Sequence, residues 1–229
     1  FYKTFSIPSD ARLDYQLIID GAVTLDPRNP RITPSGYGPH SEVRMPKFTP
    51  SLYLEKRNNV ARGTIDSLGP RLMIPTPLRR YLPSTRSIKV YTPAGYDTLS
   101  HLSVVYVHDG FEALNFMSFP NIIDNLIADN VIVPIIAVFV PPIHRQDEYG
   151  EKRERYVQYL SDDLVPLIDR LYRTDPVPHK RAIIGISDGG HISLFSVFRR
   201  PDVFQNAGGQ SSTITPWLTV LTKKQVEAN

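Results

Sequence analysis

Three stretches that are apolar from end to end limit what this chain can fold into: "LSVVYVHDG" (102–110), "VPIIAVFVPP" (133–142) and "AIIGI" (182–186). A strand with one face in water alternates apolar and polar residues. These runs do not alternate, so each predicts a strand covered on both faces. Between and after them lie helical patterns. "FPNIIDNLIADN" (119–130) opens with Pro120 near a helix N-terminus and sets Ile122, Ile123, Leu126 and Ile127 on one face. "RERYVQYLSDDLVPLIDRLYRT" (153–174) carries a stripe of Tyr156, Leu160, Leu164, Leu167, Ile168 and Leu171, with Pro166 expected to bend or break it. "HISLFSVFRR" (191–200) is the next helix, and "SIKVYTP" and "VFQNAGGQSS" (203–212) add strands. Strands of this kind alternating with amphipathic helices predict an α/β fold, a parallel sheet with helices on both faces and right-handed crossovers. Ligands in such sheets bind outside the carboxyl ends of the strands.

The chain before this region reads differently. Leu13, Tyr15, Leu17 and Ile19 alternate with polar neighbours, and Asp20-Gly21 is a hairpin turn pair. Residues 1–66 are therefore expected to form a partial β-sandwich. Residues 67–229 form the α/β domain, entered through the connection "IPTPLRRYLP".

Composition excludes several functions. The 229 residues contain no cysteine, which removes disulfides, thiolate metal sites and a cysteine nucleophile. The net charge of +3 comes from interspersed residues, and no basic stripe marks a nucleic-acid partner. The longest apolar run, 131–143, is too short to span a bilayer and is broken by prolines. The six histidines make no metal-ligand pair, and no cofactor motif is present.

The chemistry concentrates at Gly185-Ile186-Ser187-Asp188-Gly189, a G-x-S-x-G pattern with a strand before it and a helix after it. A tight strand-to-helix turn lifts a serine hydroxyl clear of the sheet edge. The new helix then directs backbone N–H groups at any negative charge that develops there. Ser187 reads as a nucleophile; a capping serine in a glycine-rich turn is the alternative. A second oxyanion N–H has to come from another loop, and "VHDGFEAL" (107–114) is the candidate, with the amides of Phe111 and Asp188 facing each other.

Together "VYTPAGYD" (90–97), "VVYVHDGFEAL" (104–114), "RQDEY" (145–149), "IIGISDGGHISLF" (183–195) and "FQNAGGQSS" (204–212) resemble the "putative esterase" family of α/β-hydrolases, which includes enterochelin esterases, esterase D-like enzymes and carbohydrate feruloyl or acetyl esterases. The segments "YQLIIDGAVTLDPRNP" and "GPHSEVRMPKF" are similar to the end of the immunoglobulin-like domain that precedes enterochelin esterase-type catalytic domains. The resemblance implies a serine carboxylic-ester hydrolase acting through an acyl-enzyme on a siderophore lactone or a carbohydrate-linked ester. It places the nucleophile at Ser187 and the oxyanion amides at Asp188 and Phe111. Arg145 and Glu148 match an arginine–glutamate pair beside the cleft, and Trp217 matches a substrate-wall aromatic.

One part of the pattern has no counterpart. The fold orders its triad as serine, acid, histidine. The segment after "QSS", "TPWLTVLTKKQVEAN", holds neither histidine nor aspartate, and Glu227 falls in a helical pattern. His191, on the helix launched by the turn, and His108, at the end of a strand, are the nearest substitutes as base. The remaining histidines (His40, His101, His144 and His179) read as loop or surface residues. Two expectations follow. Either the chain, which starts at Phe1, is truncated at both ends and the whole protein is an esterase, or the scaffold is a non-catalytic carbohydrate- or partner-binding protein.

Overall fold

The computed structural model describes residues 3–69, 86–216, 218–220 and 223, and the chain divides into two compact units, Phe1–Glu55 and Lys56–Asn229. The connection "IPTPLRRYLP" lies outside the described residues.

The first unit contains a three-stranded antiparallel sheet. In it β5 (His40–Arg44) pairs with β1 (Arg12–Tyr15) on one side and β4 (Ile32–Thr33) on the other. A separate hairpin joins β2 (Leu17–Ile19) to β3 (Ala22–Thr24), with Ile19 opposite Ala22. Asp20 and Gly21 turn it at φ 50° and 80°. Two consecutive positive φ angles are what a two-residue hairpin of this hand requires, and Asp-Gly supplies them at low cost. Glu42 is buried and takes ion pairs from Arg12 and Arg44.

The second unit is a six-stranded sheet in the order β11-β10-β8-β9-β7-β6. Its central strands β8 (Ser103–His108), β9 (Ile135–Val140), β10 (Arg181–Ile186) and β11 (Asn206–Gln210) run parallel. β7 (Lys89–Thr92) and β6 (Thr64–Ser67) complete the other side through antiparallel pairs. The sequence reading ended its β-rich region at residue 66. The structure instead gives 64–67 to the large sheet, as an exposed edge strand with no apolar alternation to reveal it.

Alternate residues of the central strands feed two cores. Val104, Tyr106, Ile136, Val138 and Ile183 face α3 (Arg153–Gln158), α4 (Val165–Leu171) and α5 (Asp188–Arg199), whose Tyr156, Leu167, Ile168, Ile192 and Phe195 are buried. Val107, Ala137 and Phe139 face the other side, where α1 (Gly110–Asn115) and α2 (Phe119–Ala128) supply Ala113 and Ile123. This two-sided cover explains the uninterrupted apolar runs. Pro166 does not break its helix. A π-helical turn at Tyr159–Leu164 links α3 to α4 in continuous right-handed backbone, and the proline sits at the first turn of α4. There its missing N–H is tolerated.

Candidate active site

Ser187 stands where β10 ends and α5 begins, with φ 56° and ψ −121°. Such a backbone conformation is costly for a residue with a side chain and persists only when its surroundings enforce it. The glycines around it do so. A Cβ on Gly185 would overlap the Gly189 backbone, and one on Gly190 would collide with Ser212 Oγ and approach the Gly185 carbonyl at 3.0 Å. A Cβ on Gly189 would stand 2.7 Å from Asp109 Oδ2. The G-x-S-x-G-G spacing is thus a packing requirement: strand, turn and helix approach so closely that side chains are excluded. Ser187 is exposed and makes no capping bond to its own helix. The turn is held from behind, by Ser187 N–H to Gln210 O and His191 N–H to Ser187 O, both at 3.0 Å.

The 107–114 loop lies at the same rim. β8 and β10 are neighbours with Val107 opposite Ile184, so Gly110 and Ser187 each follow three residues later on adjacent strands. Asp109 caps α1 in the left-handed region, with φ 50° and ψ 48°. Gly110 is confined by β9: a Cβ there would lie 2.5 Å from the Phe139 and Val140 backbone. The first-turn N–H groups of α1 and α5, including those of Phe111 and Asp188, precede the helical ladder and have no intrahelical acceptor. The Phe111 side chain is exposed and meets Phe116 edge-to-face.

Arg145 reaches across the rim. Its guanidinium donates to Asp109 Oδ1 and Oδ2 at 2.8 and 3.0 Å and to Asp188 Oδ2 at 3.0 Å. The hydrogen bonds to Asp109 hold the arginine more firmly charged than usual. Thr213 Oγ1 donates to the other Asp188 oxygen at 2.9 Å. Glu148 does not pair with Arg145. It is buried behind the loop and takes two hydrogen bonds of 2.8 Å from Arg86, which also donates to Pro141 O. Ile143 N–H adds a bond of 3.2 Å to the same carboxylate. Although only three residues apart, the two side chains take different partners. Glu148 therefore organises the 141–149 loop instead of facing a substrate. Trp217 lies outside the described residues.

The histidines are engaged elsewhere. His108 is buried, and its Nδ1 meets the Gly189 carbonyl at 3.1 Å and Ser193 Oγ at 2.9 Å. Burial pushes its pKa down to about 3, so it is a neutral packing element beneath the turn. His191 is also buried, with Nδ1 2.6 Å from the Thr213 carbonyl. Nδ1 of His108 and of His191 thus has partners other than the Ser187 hydroxyl. No cluster of metal-ligating side chains occurs among the described residues, and no helix there is long and apolar enough to cross a membrane.

Asp109, Tyr149, Arg86 and Thr213 were not foreseen as part of this site. The acid preceding the glycine in "HDG" was a usable signal. The other three arrive from distant parts of the chain and leave no local pattern.

Comparison with known proteins agrees with this architecture. The family model described as "Putative esterase" matches residues 80–228. An endo-1,4-beta-xylanase/feruloyl esterase of Xylanibacter ruminicola is 28% identical over 208 residues, which is 83% of this chain but only 27% of that protein. An uncharacterized protein of Bacillus subtilis, YbbA, is 24% identical over 59% of this chain and 60% of its own length. The chain thus spans less than two thirds of either relative. Among solved structures, the enterobactin esterase of Shigella flexneri superposes with a TM-score of 0.66 at 16% identity, over 89% of this chain and 57% of that one. A ferulic acid esterase of Anaeromyces mucronatus gives 0.59 at 21% identity, over 72% and 65%. With the sheet order, the two-sided helical cover and a family match over most of its length, this chain belongs to the "putative esterase" family and has the α/β-hydrolase fold.

Proposed function

We propose that this protein is a carboxylic-ester hydrolase acting through an acyl-enzyme at Ser187. The observation that carries the reading is the Ser187 backbone itself, at φ 56° and ψ −121°, with an exposed hydroxyl that does not cap its own helix. An ordinary capping serine turns its oxygen to the amides of the second or third helical residue. In the proposed reaction Ser187 Oγ attacks the ester carbonyl and its proton passes to a base. The carbonyl oxygen becomes an oxyanion held by the Asp188 and Phe111 amides. Collapse expels the alcohol, and water then releases the acid from Ser187 by the same steps. The base is proposed to be a group other than His108, which is buried beneath the turn, and His191, whose Nδ1 is turned to the Thr213 carbonyl.

The substrate is proposed as a siderophore lactone or a carbohydrate-linked ester; the relatives are named as a feruloyl esterase and an enterobactin esterase. Residues 1–55 are proposed as the strands of an immunoglobulin-like domain that precedes the hydrolase unit. The engagement of both histidine Nδ1 atoms elsewhere favours one rival, a hydrolase scaffold used for binding. Treatment with a fluorophosphonate probe separates the two. Acylating chemistry predicts a mass increment on Ser187 that is lost in Ser187→Ala, together with hydrolysis of methyl ferulate or p-nitrophenyl acetate. A wild-type protein that neither labels nor hydrolyses either ester fits the binding scaffold and overturns the enzyme.

A further inference from the structure

The two proposed oxyanion amides belong to segments far apart in sequence, and a single side chain joins them. Asp109, bound bidentately by Arg145, is the residue that caps α1, two positions before the Phe111 amide. Asp188, bound by the same guanidinium, opens α5 and carries the other amide. The surroundings of both carboxylates are further fixed. Tyr149 Oη accepts the Asp109 N–H at 3.2 Å, the Arg145 guanidinium lies over the Tyr149 ring at 5.2 Å, and Thr213 holds the second Asp188 oxygen. Arg145 is only partly exposed, with 28% of its side chain reaching solvent. Its planar fork can hold two oxygens of one carboxylate and still present an N–H to another, which a lysine cannot do.

From this geometry we infer that Arg145 is a positioning residue that sets the distance between the two oxyanion amides and offsets two carboxylates beside them, and is not a substrate ligand. The inference rests on the esterase reading of Ser187. Two carboxylates on neighbouring turns repel each other and also oppose a nascent oxyanion. With the guanidinium between them, repulsion becomes a bridge. Without it, α1 and α5 lose their common anchor at the point where the site needs them fixed. The effect belongs to the transition state, because only then does charge develop on the carbonyl oxygen.

The test is the second-order rate of fluorophosphonate labelling of the whole chain, with kcat and KM for p-nitrophenyl acetate measured alongside. Arg145→Met is expected to slow labelling and lower kcat by about 10- to 100-fold, with KM changed less than about threefold, below the full loss of an oxyanion donor. Arg145→Lys, which keeps the charge with fewer contacts, falls between. If R145M does not fold by circular dichroism, Asp188→Asn decides the matter, since it cuts a single contact; slower labelling supports the inference. Wild-type protein that labels at Ser187 beside an R145M or D188N variant labelling at the same rate overturns the positioning role. So does a loss confined to KM, which would make Arg145 a substrate ligand. Wild-type protein that labels no better than S187A marks failure of the esterase reading itself.

Discussion

Two arginines in the hydrolase unit, Arg86 bound to the 141–149 loop and Arg145 within it, do opposite work. Arg86 is enclosed, with 1% of its side chain exposed. It holds a carboxylate as buried as itself and lies against the faces of Tyr156 and Tyr159 at 5.4 and 4.9 Å. Arg145 lies at the rim, partly wet, and holds two carboxylates that flank the Ser187 turn. Burial works against the charge of Arg86, and Glu148 together with Tyr156 and Tyr159 more than compensates, so the arginine stays charged. For Arg145 the Asp109 carboxylate is the leading influence and desolvation comes second. The interior pair is therefore a matter of stability and the rim group a matter of site geometry. A buried pair is costly to break because the survivor is stranded, whereas a rim pair can fall back on water.

The sharpest way to break this contrast is Arg86→Met. Glu148 would be left charged with no cation in the interior, and the loss should be about 3–5 kcal/mol in urea unfolding at pH 7. The double variant R86M/E148M, which removes both charges, should be far more stable than R86M alone. A cost for R86M below about 1 kcal/mol would erase the distinction between the interior and the rim.

The second prediction concerns the other interior titrating group. His108 packs among Tyr149 and Tyr156, with Arg86 and Arg145 as the charged groups that influence it. Burial lowers its pKa to about 3, against 6.5 for the free side chain. The folded value is the depressed one, so the unfolded chain binds the proton first. Stability is complete above about pH 6.5 and declines as pH falls toward 3. Between pH 7 and 5 this one residue should remove about 2 kcal/mol. His108→Gln, which can still donate to the Gly189 carbonyl, should flatten that portion of the stability profile. An unchanged slope would mean that His108 gains its proton inside the fold.

How much of this contrast is legible in the sequence depends on whether its causes are local. The parallel sheet is legible because burial of both faces writes itself into each strand as an unbroken apolar run. The 20–21 turn and the Ser187 turn are legible because backbone conformation selects residue types on the spot: Asp-Gly in one, glycines at 185, 189 and 190 in the other. Pairings between charges are different. "RQDEY" sets Arg145 and Glu148 three residues apart, a spacing that suggests partners on one helical face. In the fold Arg145 instead binds Asp109 and Asp188, and Glu148 binds Arg86. Any arginine suits any carboxylate, so composition could not choose among them. Strand 64–67 escaped for a related reason: an exposed edge has no face to bury and so no pattern to show.

The smallest expected effect tests the rim from the stability side. Asp188 has a side chain 36% exposed and divides its oxygens between Arg145 and Thr213. Asp188→Asn keeps the shape and still accepts from one partner, while the freed Arg145 N–H can turn to water. The unfolding free energy in urea should change by less than about 0.5 kcal/mol, the range of exposed ion pairs. Slower fluorophosphonate labelling in the same variant, with no comparable loss of stability, is the outcome that separates a rim built for geometry from an interior built for cohesion. A stability loss of the R86M size in D188N would instead show that the rim carries structural weight, and the two arginines would differ only in position.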